Sequence, residues 1–106
     1  MLRIRLMTAD DLPLGMRLKN QAGWNQTAAD WQRFLAMQPE GCLVAEQDGA
    51  AVGTAVVTTF ESVAWISMVL VEQSVRGRGI GKALMNQALD LAAELGCTSI
   101  RLDATP

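Results

Sequence analysis

The stretch that decides the fold is Val69-Leu70-Val71-Glu72-Gln73-Ser74-Val75-Arg76-Gly77-Arg78-Gly79-Ile80-Gly81-Lys82. An apolar run typical of a buried strand leads into a glycine-rich loop, and a long amphipathic helix follows the loop. The first N–H groups of a helix have no intrahelical partner, and the helix dipole places partial positive charge beside them. Glycines let a phosphate approach those N–H groups, and Arg76, Arg78 and Lys82 add full positive charge at the same point. The stretch therefore predicts a binding loop for a pyrophosphate group.

Two other phosphate-binding motifs can be compared with this loop, and neither fits. A P-loop requires glycine at position 76 and serine or threonine at position 83, where the sequence has Arg76 and Ala83. A dinucleotide-binding GxGxxG motif also fails, because its third glycine would fall on Lys82 or on Leu84. One plainer alternative stays open, namely that the glycines only form a tight turn between the strand and the helix.

The periodicity outside this loop predicts a single α/β (α+β) domain over residues 1–106, with elements in the order β-α-α-β-β-β-α-β. Asp48-Gly49 is a strong signal for a two-residue hairpin turn. The strand at 64–71 is so apolar that it should lie centrally in a mixed sheet, covered on both faces. The predicted strands are 2–6, 42–46, 52–59, 64–71 and 98–102, and the predicted helices are 8–20, 27–38 and 79–95.

The last predicted helix has one continuous apolar stripe, which should face the core. Gly96 follows the stripe as the expected C′ glycine. The residues of the stripe are Ile80, Leu84, Ala88, Leu91 and Leu95.

Composition limits the classes of function. The net charge of the 106 residues is −2, and a nucleic-acid or anionic-membrane surface would need a concentrated basic patch, so neither partner is expected. No apolar stretch approaches a membrane span of about 18–20 residues and no signal peptide is recognisable, so we expect a cytoplasmic protein. The sequence has no histidine, which excludes Ser-His-Asp and Cys-His catalysis and most zinc sites, and we expect no metal. Cys42 and Cys97 are isolated and are interpreted as buried structural thiols.

The loop also carries a family resemblance. Arg76-x-x-Gly79-x-Gly81, preceded by the strand Met68-Val69-Leu70-Val71, resembles the acetyl-CoA signature of the GNAT superfamily of N-acetyltransferases. The order of elements from Leu2 to Asp103 is similar to the first part of the GNAT fold. The resemblance implies a mixed GNAT-like sheet, acetyl-CoA as co-substrate, and direct transfer of its acetyl group to a primary amine without an acyl-enzyme.

The same resemblance implies a role for each part of the motif. The backbone N–H groups from Gly77 to Lys82 would bind the pyrophosphate, and Val69 and Val71 would hydrogen-bond the pantetheine arm through their backbones. A backbone N–H of this strand would also polarise the thioester carbonyl. The cofactor-binding residues implied are Val69, Leu70, Val71, Arg76, Gly77, Arg78, Gly79, Ile80, Gly81 and Lys82.

The acceptor side is less defined by the sequence. Glu72 follows the cofactor strand and is the candidate general base, with Glu61 a weaker candidate in a nearby turn. Both acids could instead be ordinary surface residues. Trp24 and Asn25 lie in a loop that borders the acceptor site in the resembling fold, although Trp24 could simply cover the edge of the core. Two classes of function stay open: an amine acetyltransferase, and a non-catalytic coenzyme A-binding or assembly fragment of a larger one.

GNAT members continue past the fifth strand into a further helix, which usually carries a tyrosine that protonates the departing thiolate, and into two more strands. This sequence contains no tyrosine and is expected to be an incomplete GNAT domain, truncated after the fifth strand. The strand at 98–102 would then leave an open sheet edge, through which we expect a homo-oligomer to form.

Overall fold

A computed structural model describes residues 2–23 and 28–102 of the chain. The described elements follow the predicted order, which is thereby confirmed. The strands are β1 (Leu2–Leu6), β2 (Cys42–Gln47), β3 (Ala50–Phe60), β4 (Val63–Val71) and β5 (Ser99–Leu102), and the helices are α1 (Leu12–Ala22), α2 (Ala28–Met37) and α3 (Ile80–Glu94). Trp24, Asn25 and the first residue of the predicted helix 27–38 fall outside the described residues, so the predictions for them are not described further.

The five strands form one mixed sheet in the order β1-β2-β3-β4-β5, as expected for the α/β class. The first three neighbouring pairs are antiparallel, and β4 pairs with β5 in parallel. Complete burial of β4 was a wrong expectation, because Trp65 is 43% exposed between the buried Ala64 and Ile66. Ala64 and Ile66 belong to a hydrophobic cluster on the α3 side of the sheet. The hydrophobic cluster on the other side contains only Met68 and Leu70 among the buried residues of β4.

The sheet separates two hydrophobic clusters. In β2, Leu43 and Ala45 enter the cluster that contains α3, and Val44 enters the cluster that contains α1 and α2. Since neighbouring side chains of a strand point to opposite faces, the two clusters lie on opposite sides of the sheet. Trp31 of α2 is fully buried in the second cluster.

The apolar stripe predicted on α3 is confirmed except at its end. Ile80, Leu84 and Ala88 are buried, but the stripe continues at Ala92. Leu95 is 40% exposed because the helix ends at Glu94 and the chain turns away through Gly96, whose φ is +83°. Within the described ranges, no helix is long and apolar enough to cross a membrane.

The predicted hairpin between β2 and β3 is confirmed. Asp48 and Gly49 have φ of +53° and +88°, as the two central residues of a type I′ turn require.

The first helix begins later than its sequence predicts. Residues Ala9–Asp11 form a short 3-10 turn, and α1 starts only at Leu12. The carboxylate of Asp11 accepts a hydrogen bond from the N–H of Thr8 at 2.8 Å, and Arg5 donates two hydrogen bonds to the same carboxylate at 2.8 Å. The Arg5 guanidinium lowers the pKa of Asp11 from its ordinary value. This network holds the start of α1 against β1.

β5 lies at the edge of the sheet formed by the described residues. Ile100 and Leu102 are 42% and 56% exposed there. The homo-oligomer expected through this edge stays a prediction.

Candidate functional site

The glycines of the loop differ in what the backbone requires of them. Gly77 and Gly79 have φ of +83° and +80°, a region that residues with a Cβ rarely adopt. Gly81 lies in the first turn of α3 without a positive φ, and a Cβ there would meet only Cγ2 of Val71 at an ordinary 3.6 Å. The strand-to-helix turn thus accounts for Gly77 and Gly79 but not for Gly81, where the protein itself leaves room for a Cβ.

The first turn of α3 presents a set of backbone donors that have no partner within the helix. The first intrahelical hydrogen bond runs from the N–H of Ala83 to the carbonyl of Gly79 at 3.0 Å. The N–H groups of Ile80, Gly81 and Lys82 precede this bond and have no carbonyl within the helix to donate to. They lie at the positive end of the helix dipole, where an anion is stabilised.

Three exposed cations surround this turn. Among the described residues, no ion pair involves Arg78 or Lys82. Arg76 is partly engaged, because its Nε donates to the carbonyl of Val71 at 3.2 Å. The loop therefore offers positive charge that no described carboxylate neutralises.

The second part of the site is the edge of β4. Among the described residues, β5 pairs with β4 only from Val63 to Ile66, so the following half of β4 has no strand partner on that side. The N–H of Glu72 donates to the carbonyl of Val52 in β3 at 2.7 Å. Because backbone direction alternates along a strand, the backbone groups of Leu70 also face β3, and those of Val69 and Val71 face the open side.

This geometry separates the three predicted strand residues. Val69 and Val71 present their backbones to the open edge, beside the start of α3. Leu70 instead buries its side chain among the residues of the α1 and α2 cluster. The structure therefore does not bring Leu70 to the edge.

A β-bulge that the sequence did not predict separates the two halves of β4. The pairing of β3 with β4 shifts register between Thr54 and Val56, and Met68 has φ of +55°. The fully buried hydroxyl of Thr54 donates to the carbonyl of Met68 at 2.9 Å. Neither residue type signals a bulge, because threonine is common in strands and methionine seldom adopts a positive φ. The bulge lies where β4 stops pairing with β5.

The candidate base Glu72 lies directly after β4 and its side chain is 21% exposed. Its Oε2 accepts a hydrogen bond from Nε2 of Gln21 at 2.8 Å and lies 3.6 Å from Nε of Arg17. Both partners belong to α1 and carry no sequence signal that could have identified them. We expected Glu61 in a turn near Glu72. It does lie in a turn, the one that joins β3 to β4, but this turn is at the opposite end of β4 from Glu72.

The thiols are poor candidates for chemistry. Burial raises the pKa of Cys42 to about 11, so the reactive thiolate is scarce at neutral pH. The expectation of a buried thiol is confirmed for Cys42, whereas Cys97 is only half-buried. In the part of the chain that the structure describes, no group of three or more Cys, Asp or Glu side chains could hold a metal ion.

The site thus consists of a glycine loop at the start of a helix, beside a strand edge that follows a bulge. The family model of the GNAT acetyltransferases matches residues 10–106. The chain belongs to the GNAT acetyltransferase family.

Individual relatives fit this assignment. The chain is 32% identical over 100 residues to the N-alpha-acetyltransferase MAK3 of Arabidopsis thaliana, covering 88% of this chain and 52% of MAK3. It therefore spans about half the length of that relative. The structure of Ard1 from Thermoplasma volcanium has a TM-score of 0.89 at 27% identity, covering 95% of this chain and 70% of Ard1. Rv2747 from Mycobacterium tuberculosis, solved in complex with CoA, shares the fold with a TM-score of 0.82 at 20% identity, covering 94% of this chain and 63% of Rv2747.

Proposed function

We propose that this chain binds acetyl-CoA and transfers the acetyl group directly to a primary amine. The observation that carries the proposal is the first turn of α3, whose N–H groups and open Gly81 lie beside an edge of β4 that has no strand partner among the described residues. One part suits a pyrophosphate and the other suits an extended amide-containing arm, and coenzyme A carries both groups.

In this proposal, the N–H groups from Gly77 to Lys82 hold the pyrophosphate, supported by the charges of Arg78 and Lys82. The backbones of Val69 and Val71 hydrogen-bond the pantetheine arm as a neighbouring strand would. Membership of the GNAT family supports this placement, and so does the CoA bound to Rv2747, which has the same fold.

The chemical step is an attack of the amine nitrogen on the thioester carbonyl. A C–N bond forms, the C–S bond breaks, and coenzyme A leaves as its thiolate. The oxyanion that develops is stabilised by a backbone N–H of β4, for which Val69 is suitably placed beyond the bulge. The amine loses a proton to Glu72 or to water, and the thiolate is protonated in turn. A covalent acyl-enzyme is unnecessary, and the high pKa of Cys42 supports the direct route.

The acceptor that we propose to test first is the α-amino group of a polypeptide. The likeness to MAK3, an N-alpha-acetyltransferase, supports this choice over other primary amines.

A second candidate function is a fragment that binds coenzyme A without turning it over. The observation that favours it is that this chain spans only 52% of MAK3. Half of a relative could contain the cofactor loop and lack part of the acceptor pocket.

One pair of measurements separates the two functions. Coenzyme A binding is measured by calorimetry, and thiol release from acetyl-CoA is followed with peptides that have free amino termini and with small primary amines. Binding with amine-dependent thiol release supports the transferase. Binding without release supports the fragment, and absence of binding refutes both.

A further inference from the structure

Two side chains of α1 make several contacts around the end of β4. Gln21 uses both ends of its amide: Nε2 donates to Oε2 of Glu72 at 2.8 Å, and Oε1 accepts from the N–H of Gln73 at 2.9 Å. Arg17, one helical turn earlier, places its Nε 3.6 Å from the same Glu72 oxygen and donates to the carbonyl of Ala51 at 3.4 Å. Two side chains of one helix therefore hold the segment that leaves the cofactor strand.

These contacts do more than attach a helix to a sheet. An amide that accepts from a backbone N–H and donates to the adjacent carboxylate fixes both the main chain and the side chain of consecutive residues. Gln73 begins the short turn that leads to the glycine loop. Glu72 could otherwise sample several rotamers, because a glutamate side chain has considerable rotamer entropy.

We propose that Gln21 and Arg17 are positioning residues that hold Glu72 for proton transfer and tie α1 to the entrance of the glycine loop. The inference rests on the proposed acetyl transfer. A base must lie within hydrogen-bond reach of the proton that it removes, so a small displacement of its carboxylate lowers turnover. Gln21 lies in the last turn of α1, which ends at Ala22. The contacts of Gln21 and Arg17 with Glu72 and Gln73 form a clamp between α1 and the end of β4.

The test is a double-mutant cycle with Gln21→Met and Glu72→Gln. Methionine is similar in length to glutamine and removes both hydrogen bonds, whereas Glu72→Gln removes the charge and keeps an oxygen that can accept from Gln21. We expect Gln21→Met to lower kcat about tenfold while the affinity for coenzyme A changes less than about twofold. We expect the double variant to be no slower than Glu72→Gln alone, because Gln21 acts through Glu72. Gln32→Met, at an exposed position of α2, is the matched control and should leave kcat unchanged.

A measurement that needs no turnover accompanies the cycle. The Gln73 N–H donates to Gln21, so its hydrogen exchange, followed by NMR, should be faster in Gln21→Met and unchanged in Gln32→Met. Unchanged Gln73 exchange would show that there is no clamp in solution. A kcat of Gln21→Met equal to that of the parent, additive losses in the double variant, or full activity of Glu72→Gln would overturn the positioning role. A parent chain that binds coenzyme A without turnover would refute the proposed function and the catalytic role of the clamp, while Gln73 exchange would still decide the contact itself.

Discussion

The substitution Gly81→Val distinguishes a loop that binds pyrophosphate from a loop whose glycines only form a tight turn. The position lies in the first turn of α3 and has no positive φ, and a Cβ there would touch only Val71 at 3.6 Å. The fold therefore has room for at least the first carbon of the new side chain. A phosphate resting on the N–H groups of Ile80, Gly81 and Lys82 would have to occupy the space that the valine fills.

Gly81→Val should change the free energy of unfolding much less than the free energy of coenzyme A binding. Valine and glycine differ in helix propensity by only a few tenths of a kcal/mol, so the free energy of unfolding should change by less than about 1 kcal/mol. A hydrogen bond to a charged group contributes about 1.5–3 kcal/mol, so losing two of them weakens binding by about 3–6 kcal/mol. At about 1.4 kcal/mol per factor of ten, the Kd of coenzyme A should rise by about 10²- to 10⁴-fold.

Calorimetric titration with coenzyme A measures the Kd, and urea denaturation measures the free energy of unfolding. Asn86→Val is the control, since Asn86 is an exposed residue in the same helix and outside the loop. A folded Gly81→Val protein whose Kd equals that of the control would refute the reasoning and place the ligand elsewhere. A variant that fails to fold would show that the loop glycine is needed by the chain itself, against the open space seen around it.

Two further variants test the bulge and the thiols. Thr54→Val keeps the shape of the side chain but removes the hydroxyl that donates to the carbonyl of Met68. We expect urea denaturation to show a loss of about 1–3 kcal/mol in the free energy of unfolding, and titration to show weaker coenzyme A binding. An effect no larger than that of Thr58→Val on the same strand would contradict the role given to the hydroxyl. The double variant with Cys42→Ser and Cys97→Ser should keep its coenzyme A affinity within about twofold, because neither thiol is assigned a role in binding. Detection of an acetylated cysteine by mass spectrometry during turnover of the parent protein would exclude the direct route.

The features that the sequence predicted well are those with local causes. Asp48-Gly49 predicts its turn because the two residues themselves adopt positive φ. Gly79 similarly marks the start of α3, and the spacing of the apolar residues predicts which face of the helix is buried. The end of the stripe was wrong at Leu95 because spacing alone does not tell where a helix stops relative to the core.

The features that the sequence missed depend on contacts between distant segments. The bulge at Met68 is held by Thr54, fourteen positions away. The contact between Gln21 and Glu72 joins residues 51 positions apart. Periodicity describes which face a residue occupies and carries no information on which distant donor will reach it. Part of the candidate site was therefore visible in the sequence as a loop, while the geometry of the strand edge and the surroundings of Glu72 required the fold.

The contact between Arg76 and Val71 changes how the charges of the loop should be assigned. Arg76 is the first residue of the family motif, yet its Nε donates to the carbonyl of Val71, one of the backbone groups that face the open edge. A carbonyl oxygen has two lone pairs, so Val71 can keep this bond and accept a second one, while its N–H stays available to an incoming arm. Arg76 then fastens the loop to the strand that it follows, and its remaining donors are the part that can reach a ligand. Since neither Arg78 nor Lys82 makes such a contact among the described residues, these two cations are the ones whose charge the proposed pyrophosphate would meet first.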